Sequence, residues 1–270
     1  MGRKAARKLP IFARGVRRSV TILGLSTAVR FLTIVPLPGR EARETGALGR
    51  SAGWFPLVGL GLGALLAAVD WLLAFIFPSL LSALLVLALW KLLTGGLHLD
   101  GLADCLDGLA GSGPRESLAI MRDSRIGVFG ALGLILLLLI EWVALAELPA
   151  AERWRALLLA PVVGRLTPAL LAKLSTPATP DHGHGALFMK SVPAWSLVLG
   201  GALTAATAAL LLWPWGLAVA AGGLVVAWGA ARLVSAKVGG LTGDGLGAGV
   251  ELAELATLLA MAATTRLRLR

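Results

Sequence analysis

Tyrosine is absent from this 270-residue chain, cysteine occurs once, and acidic residues number 15 against 25 lysines and arginines. Each scarcity closes a route. The single Cys105 excludes an intrachain disulfide. No histidine follows it at a pairing distance, so it reads as a small packing residue and not as a nucleophile. Charged residues make up 15% of the chain, where a soluble globular domain carries about 25%. The formal charge of +10 invites a nucleic-acid partner, but no aromatic side chains alternate with the basic ones, so nucleic acid is set aside.

What the chain has is apolar length. Hydrophobic residues account for 57% of it, and mean hydropathy is +0.83. Runs long enough to cross a bilayer, which takes about 20 residues per helix, recur without the alternation of barrel strands. The expected fold is therefore an all-α polytopic transmembrane helical bundle. Its spans are read at 54–77, 79–97, 126–146, 156–173, 194–213 and 215–234, with Pro78 and Pro214 marking turns. Interfacial helices are expected at 20–35, after a leader-like "RRSVTILGLSTAV", and at 250–264, a stretch too short to cross. Residues 1–30 read as a basic amino-terminal segment, 31–264 as one membrane-embedded catalytic domain, and 265–270 as a basic tail.

Seven basic residues (Arg3, Lys4, Arg7, Lys8, Arg14, Arg17, Arg18) precede the first apolar stretch, and the tail reads "RLRLR". Positive charge next to membrane segments favours the cytosol and anionic lipids. Six crossings keep both termini there and bring residues 98–125 and 235–249 to the same face.

Against this apolar background, "GGLHLDGLADCLDGLAG" (95–111) gathers Asp100, Asp104 and Asp107. Steps of four and three put them on one helical face. Stacked carboxylates repel, so a cation is their simplest partner, and oxygen donors without a Cys or His set favour Mg²⁺ or Mn²⁺ over zinc. His98 is either a ligand or base, or a polar residue at a helix start. "GGLTGDGL" (239–246) matches "GGLHLDGL" (95–102) at six of eight positions, and the same offset pairs Asp107 with Glu251. A degenerate internal repeat would thus bring Asp244 to the same cytosolic mouth. Gly243 and its neighbours let backbone N–H groups approach an anion, although no GK[ST] ending is present.

"MRDSRIGVFG" (121–130) sets Arg122, Asp123, Ser124 and Arg125 before a span. Guanidinium forks grip phosphate oxygens, whereas contact with lipid headgroups would explain the arginines but not Asp123 between them. Lys91 and Arg165 lie within apolar spans and are candidates to neutralise acids; Glu141 is a candidate partner for Arg165. Asp70 is expected to reach the interface. His182 and His184 in "DHGHG" read as loop residues rather than as a metal tract.

Together "GGLHLDGLADCLDGL", "MRDSRIGVFG", "GGLTGDGLGA", "FLTIVPLP" (31–38) and "WFPLVGLGLG" (54–63) resemble the cobalamin synthase family, adenosylcobinamide-GDP ribazoletransferase, from about residue 30 to 255. The resemblance implies a bacterial inner-membrane enzyme with Mg²⁺ as cofactor. Such an enzyme joins adenosylcobinamide-GDP to α-ribazole or its 5′-phosphate with loss of GMP, late in cobalamin assembly. Its partners are then the corrinoid nucleotide, α-ribazole and membrane lipids; a homo-oligomer is compatible with it. Carried onto this chain, the metal ligands are Asp100, Asp104, Asp107 and Asp244. Asp104, Asp107, Arg122 and Arg125 are the catalytic candidates, while His98, Asp123, Ser124 and Gly243 bind substrate. In chemical terms, acids hold the metal on the pyrophosphate, an arginine steadies the transferring phosphoryl group, and Asp104 or Asp107 accepts the hydroxyl proton. The competing reading is an ion-coupled transporter, which would place carboxylates near the bilayer midplane on broken helices.

Overall fold

The computed structural model describes residues 23–37, 44–179 and 183–268. These residues form helices and no strand. α1 (Leu23–Leu32) is short and apolar. α2 (Ala47–Ser51) runs through a 3₁₀ turn at Ala52–Trp54 into α3 (Phe55–Leu73). α4 (Ser79–Leu93), α5 (Leu97–Gly108) and α6 (Pro114–Ile120) follow, then the long α7 (Val128–Glu147) and α8 (Ala150–Leu174). α9 (His184–Ser191) precedes α10 (Ala194–Leu212), α11 (Gly216–Val238) and α12 (Gly243–Arg268). Prolines stand where helices start: Pro78, Pro149 and Pro193 occupy the N-cap positions of α4, α8 and α10, where a missing N–H costs nothing.

Six helices among the described residues are long and apolar enough to cross a membrane, and the pair α4 and α5 passes only jointly, bent by 87°. α8 and α12 are the inner helices, with 78% and 61% of their apolar stretches buried against 28% in α7. Small residues let backbones touch. A β-carbon on Gly59 or Gly63 would lie 2.4 Å or 2.5 Å from carbonyl oxygens of Pro161 and Leu157 on α8, so α3 seats directly against that helix.

Two departures from the sequence reading matter for the site. The expected span 79–97 stops at Leu93, because Gly95 and Gly96 adopt φ of +63° and +66°, a left-handed turn that glycine makes without strain. The chain then redirects into α5, which packs across α12 and α7 at one end of the bundle.

The stretch 250–264 is not interfacial. It belongs to the 26-residue α12, whose ends lie about 39 Å apart at 1.5 Å per residue. The apolar stretch is too short by itself, but the glycine-rich turn before it is helical as well and extends it from Gly243, with Glu251 and Glu254 enclosed beside cationic partners. A consequence is that the first described helix and the carboxyl end of the last, expected at one face, lie toward opposite ends of the bundle. Phe31 and Ile34 sit at the aspartate end, where the Ile34 N–H donates to the Leu93 carbonyl at 2.8 Å, while Arg266 lines a groove with Glu147 and Pro149 at the far end. Helix 23–32, by contrast, matches the expected short element within 20–35.

Asp70 also departs from expectation. It is 4% exposed and accepts a 2.9 Å hydrogen bond from the Arg153 guanidinium, which additionally bonds Ser79. An acid near a span end is buried here because α8 carries an arginine at the same depth.

Candidate active site

The two glycine-led motifs fold alike and meet. In each, a Gly-Gly pair with positive φ ends a helix (Gly95 and Gly96 after α4, Gly239 and Gly240 after α11) and an aspartate opens the next, Asp100 on α5 and Asp244 on α12. The new helices cross where neither carries a side chain. A β-carbon on Gly101 would stand 2.8 Å from the Asp244 carbonyl oxygen, and one on Gly247 would lie 3.4 Å from the His98 Cα. Thr242 caps the start of α12 by accepting the Gly245 N–H at 3.0 Å.

Asp100 is exposed, Asp104 and Asp244 are half-buried, and no lysine or arginine forms an ion pair with any of the three among the described residues. Burial, then the charges of Asp100, Asp244 and Asp107, push the Asp104 carboxyl up to about 6. Like charges from both helices thus add to the effect of burial at this carboxyl. Among the described residues no three of these aspartates lie within 4.8 Å of one another. The oxygen-only donor set suits a hard divalent cation held by Asp100, Asp104 and Asp244. Burial pushes the Cys105 thiol up, which fits a packing residue.

Asp107 is placed differently from its neighbours. It is buried, and its two carboxylate oxygens accept the Gly127 N–H at 2.7 Å and the Gly130 N–H at 2.8 Å. A carboxylate at the N-terminus of α7 satisfies otherwise orphaned amides and complements the helix dipole. A β-carbon on either glycine would come within 2.4 Å of this carboxylate, which explains the glycines of the "RIGVFG" stretch. Asp107 therefore docks the Asp123–Arg125 loop onto the acid helix.

Within that loop Arg125 forks onto Asp123, with Nε donating at 3.0 Å to Oδ1 and Nη2 at 2.6 Å to Oδ2. This pair lies on the surface, and the hydrogen bonds hold the Asp123 carboxyl down at about 2. Arg122 and Ser124 are exposed beside it. The loop is thus brought to the carboxyl end of α5, while Asp100 and Asp244 lie at the amino ends of α5 and α12.

A cavity of about 200 Å³ opens beside the aspartates, lined by Phe31, His98, Asp100, His184, Phe188 and Asp244 among others. His98 is 4% exposed, and its Nδ1 has no hydrogen-bond partner among the described residues; burial, then Arg165 and Lys91, hold its pKa well below the usual histidine range. Gly243 is exposed at the rim, where Gly185 packs against its backbone. His184 was not expected here: it opens α9, and Gly185 after it is the sequence sign of that close approach. His182 lies outside the described residues.

Deeper in the bundle Lys91 takes three glutamates: Nζ lies 3.1 Å from Glu141, 2.5 Å from Glu251 and 3.4 Å from Glu254. Arg165 pairs with Glu254 rather than with Glu141. Glu141, Glu251 and Glu254 are spaced closely enough to hold a metal, but the Lys91 ammonium already stands among them as their cation. Lys91 does neutralise a motif acid, since Glu251 is the repeat counterpart of Asp107.

A polytopic helical membrane protein with an acid-lined mouth, assembled from two similar turns at one end of the bundle, is the class that fold and site define. The family profile described as Cobalamin-5-phosphate synthase matches residues 24–262, so this chain belongs to that family. It is 41% identical to the adenosylcobinamide-GDP ribazoletransferase of Geotalea daltonii, over 87% of this chain and 95% of that protein. The protein of the same name from Ectopseudomonas mendocina is 44% identical over 87% of this chain and 96% of its own length. That from Chlorobaculum tepidum is 37% identical over 87% and 93%. No solved structure matches the chain.

Proposed function

We propose that this chain joins adenosylcobinamide-GDP to α-ribazole or its 5′-phosphate and releases GMP, a late step of cobalamin assembly. The observation that carries the reading is the meeting of Asp100 and Asp104 on α5 with Asp244 on α12, three carboxylates without a basic partner among the described residues. Family membership supplies the substrates.

Asp100, Asp104 and Asp244 would hold Mg²⁺, which when bound neutralises charge on the pyrophosphate. Arg122 and Arg125 lie exposed on the loop that Asp107 docks, free to meet phosphate oxygens once Arg125 exchanges its partner Asp123. Ser124 and the Gly243 backbone offer further hydrogen bonds. Asp104, whose carboxyl rises to about 6, is the suited acceptor for the ribazole hydroxyl proton; Asp107, with both oxygens committed to α7, is less so.

We infer a bacterial inner-membrane location with the aspartate end in the cytosol. Arg50, Arg115, Arg122, Arg125, Lys190 and Lys237 cluster at that end, against Arg155, Arg266 and Arg268 at the other. The carboxyl terminus then faces away from the site.

The test is Mg²⁺-dependent GMP release from adenosylcobinamide-GDP by detergent-solubilised protein, with and without α-ribazole. Ribazole-dependent release that stops with EDTA supports the enzyme. Activity appearing only as solute movement across sealed vesicles would establish the ion-coupled transporter instead.

A further inference from the structure

The cavity beside the aspartates is built for something other than phosphate. Its walls are largely apolar, with Phe31, Leu48 and Phe188 facing the two carboxylate-bearing turns. Phe31 and Phe188 are the outer members of an aromatic stack through Phe55, with ring centroids 6.0 Å and 5.9 Å apart and interplanar angles of 22° and 15°. Roughly parallel rings fix the orientation of a planar guest inserted beside them. Phe31 is 40% exposed, so its ring is open to a guest.

His98 in this wall is 4% exposed, and its Nδ1 has no hydrogen-bond partner among the described residues. A nearly buried imidazole in a largely apolar wall gives a guest one directional hydrogen-bonding partner. His184 adds a second imidazole at the opposite edge. The volume of about 200 Å³ admits a bicyclic aromatic base but not a corrin ring.

Resting on the proposed reaction, we propose that this cavity is the acceptor-base subsite: it seats the benzimidazole ring of ribazole against Phe31 and Phe188, with His98 meeting a ring nitrogen. The ribose hydroxyls then emerge beside Asp100 and Asp244. Guanine is the poorer guest. Its several donors and acceptors would each need a partner in a wall whose uncharged polar side chains are the two histidines, while the carboxylates are directed to the metal.

Full-length protein in detergent is titrated with 5,6-dimethylbenzimidazole by equilibrium dialysis, and the free base is tested as an inhibitor. The subsite predicts saturable binding and competition with ribazole but not with adenosylcobinamide-GDP. Phe31→Ala removes an exposed stacking face, and Leu48→Trp fills the cavity. Each should raise the KM for ribazole by about tenfold, the scale of one lost stacked base, and leave the KM for the corrinoid nucleotide unchanged. Competition by the base against the corrinoid nucleotide, or a rise in that substrate's KM alone, would overturn the assignment in favour of a guanine site. Absence of base binding to the unaltered protein would overturn it outright. If the unaltered protein binds the base but releases no GMP, the proposed reaction fails while the aromatic subsite stands.

Discussion

Gly101 on α5 approaches Asp244 on α12 so closely that a β-carbon at position 101 would lie 2.8 Å from the Asp244 carbonyl oxygen and 3.0 Å from its Cα. This contact joins residues that are far apart in sequence into one site, and it involves backbone atoms that cannot swing aside. Gly101→Ala should therefore push the two helices apart, with a loss of about 1–3 kcal/mol from overpacking and a larger loss of Mg²⁺ binding. Thermal unfolding in detergent with and without MgCl₂ separates the two effects. A variant with unchanged metal-dependent stabilisation would show that the helix crossing does not set the site.

Asp104 and Asp107 are three residues apart on one helix yet do different work. Asp107→Asn leaves an amide NH₂ facing one of the Gly127 or Gly130 N–H groups and should cost about 1–3 kcal/mol. Asp104→Asn removes a like charge from an uncompensated cluster and should leave the melting temperature equal or higher while abolishing turnover. Measuring Tm and GMP release for both variants checks the division; near-normal turnover of Asp104→Asn removes that residue from the chemistry.

Because the Asp104 carboxyl stands at about 6, above its ordinary range, metal-free protein gains stability from its protonation: the gain is full below the unfolded value and disappears as pH rises through about 6. Divalent ion needs the ionised form. Metal-free protein should thus melt higher below pH 6 than above it, and the Tm increment from MgCl₂ should grow as pH rises past the same point. Equal increments on both sides would exclude Asp104 as a ligand.

Lys91 compensates Glu141, Glu251 and Glu254 where water is excluded. Lys91→Met should destabilise by about 3–5 kcal/mol, since uncompensated carboxylates remain buried. Adding Glu251→Gln should recover part of that loss, as read by thermal unfolding; no recovery would mean that the lysine acts by packing alone.

The far-end placement of α12's carboxyl terminus predicts sidedness. In a Cys105→Ala background, Arg115→Cys and Arg268→Cys should react with membrane-impermeant maleimide from opposite faces of sealed vesicles. Labelling from one face would contradict a membrane-crossing α12.

Much of this was legible along the chain. Apolar length and Pro78 marked helices and turns, and the spacing of Asp100, Asp104 and Asp107 put them on one helical segment. The recurrence of "GGL--DGL" foretold that Asp244 belongs with Asp100, since like sequences make like turns. What misled was apparent length and local polarity. By itself 250–264 is too short to cross, but its helix begins at Gly243 in a glycine-rich turn; Asp70 looks interfacial because the arginine that pairs with it comes from α8, remote in sequence.

Sequence alone determined that this is a helical membrane protein with a cluster of carboxylates to be neutralised, for composition and a 3.6-residue period act within each segment. Only the tertiary structure decided which carboxylates remain open for a ligand and which are spent on holding helices. It committed Asp107 to α7, Glu251 to Lys91 and Glu254 to Arg165, and it brought His184 and Phe188 to the rim of the site. An acid's role follows from what faces it, and that partner is supplied by packing between distant helices.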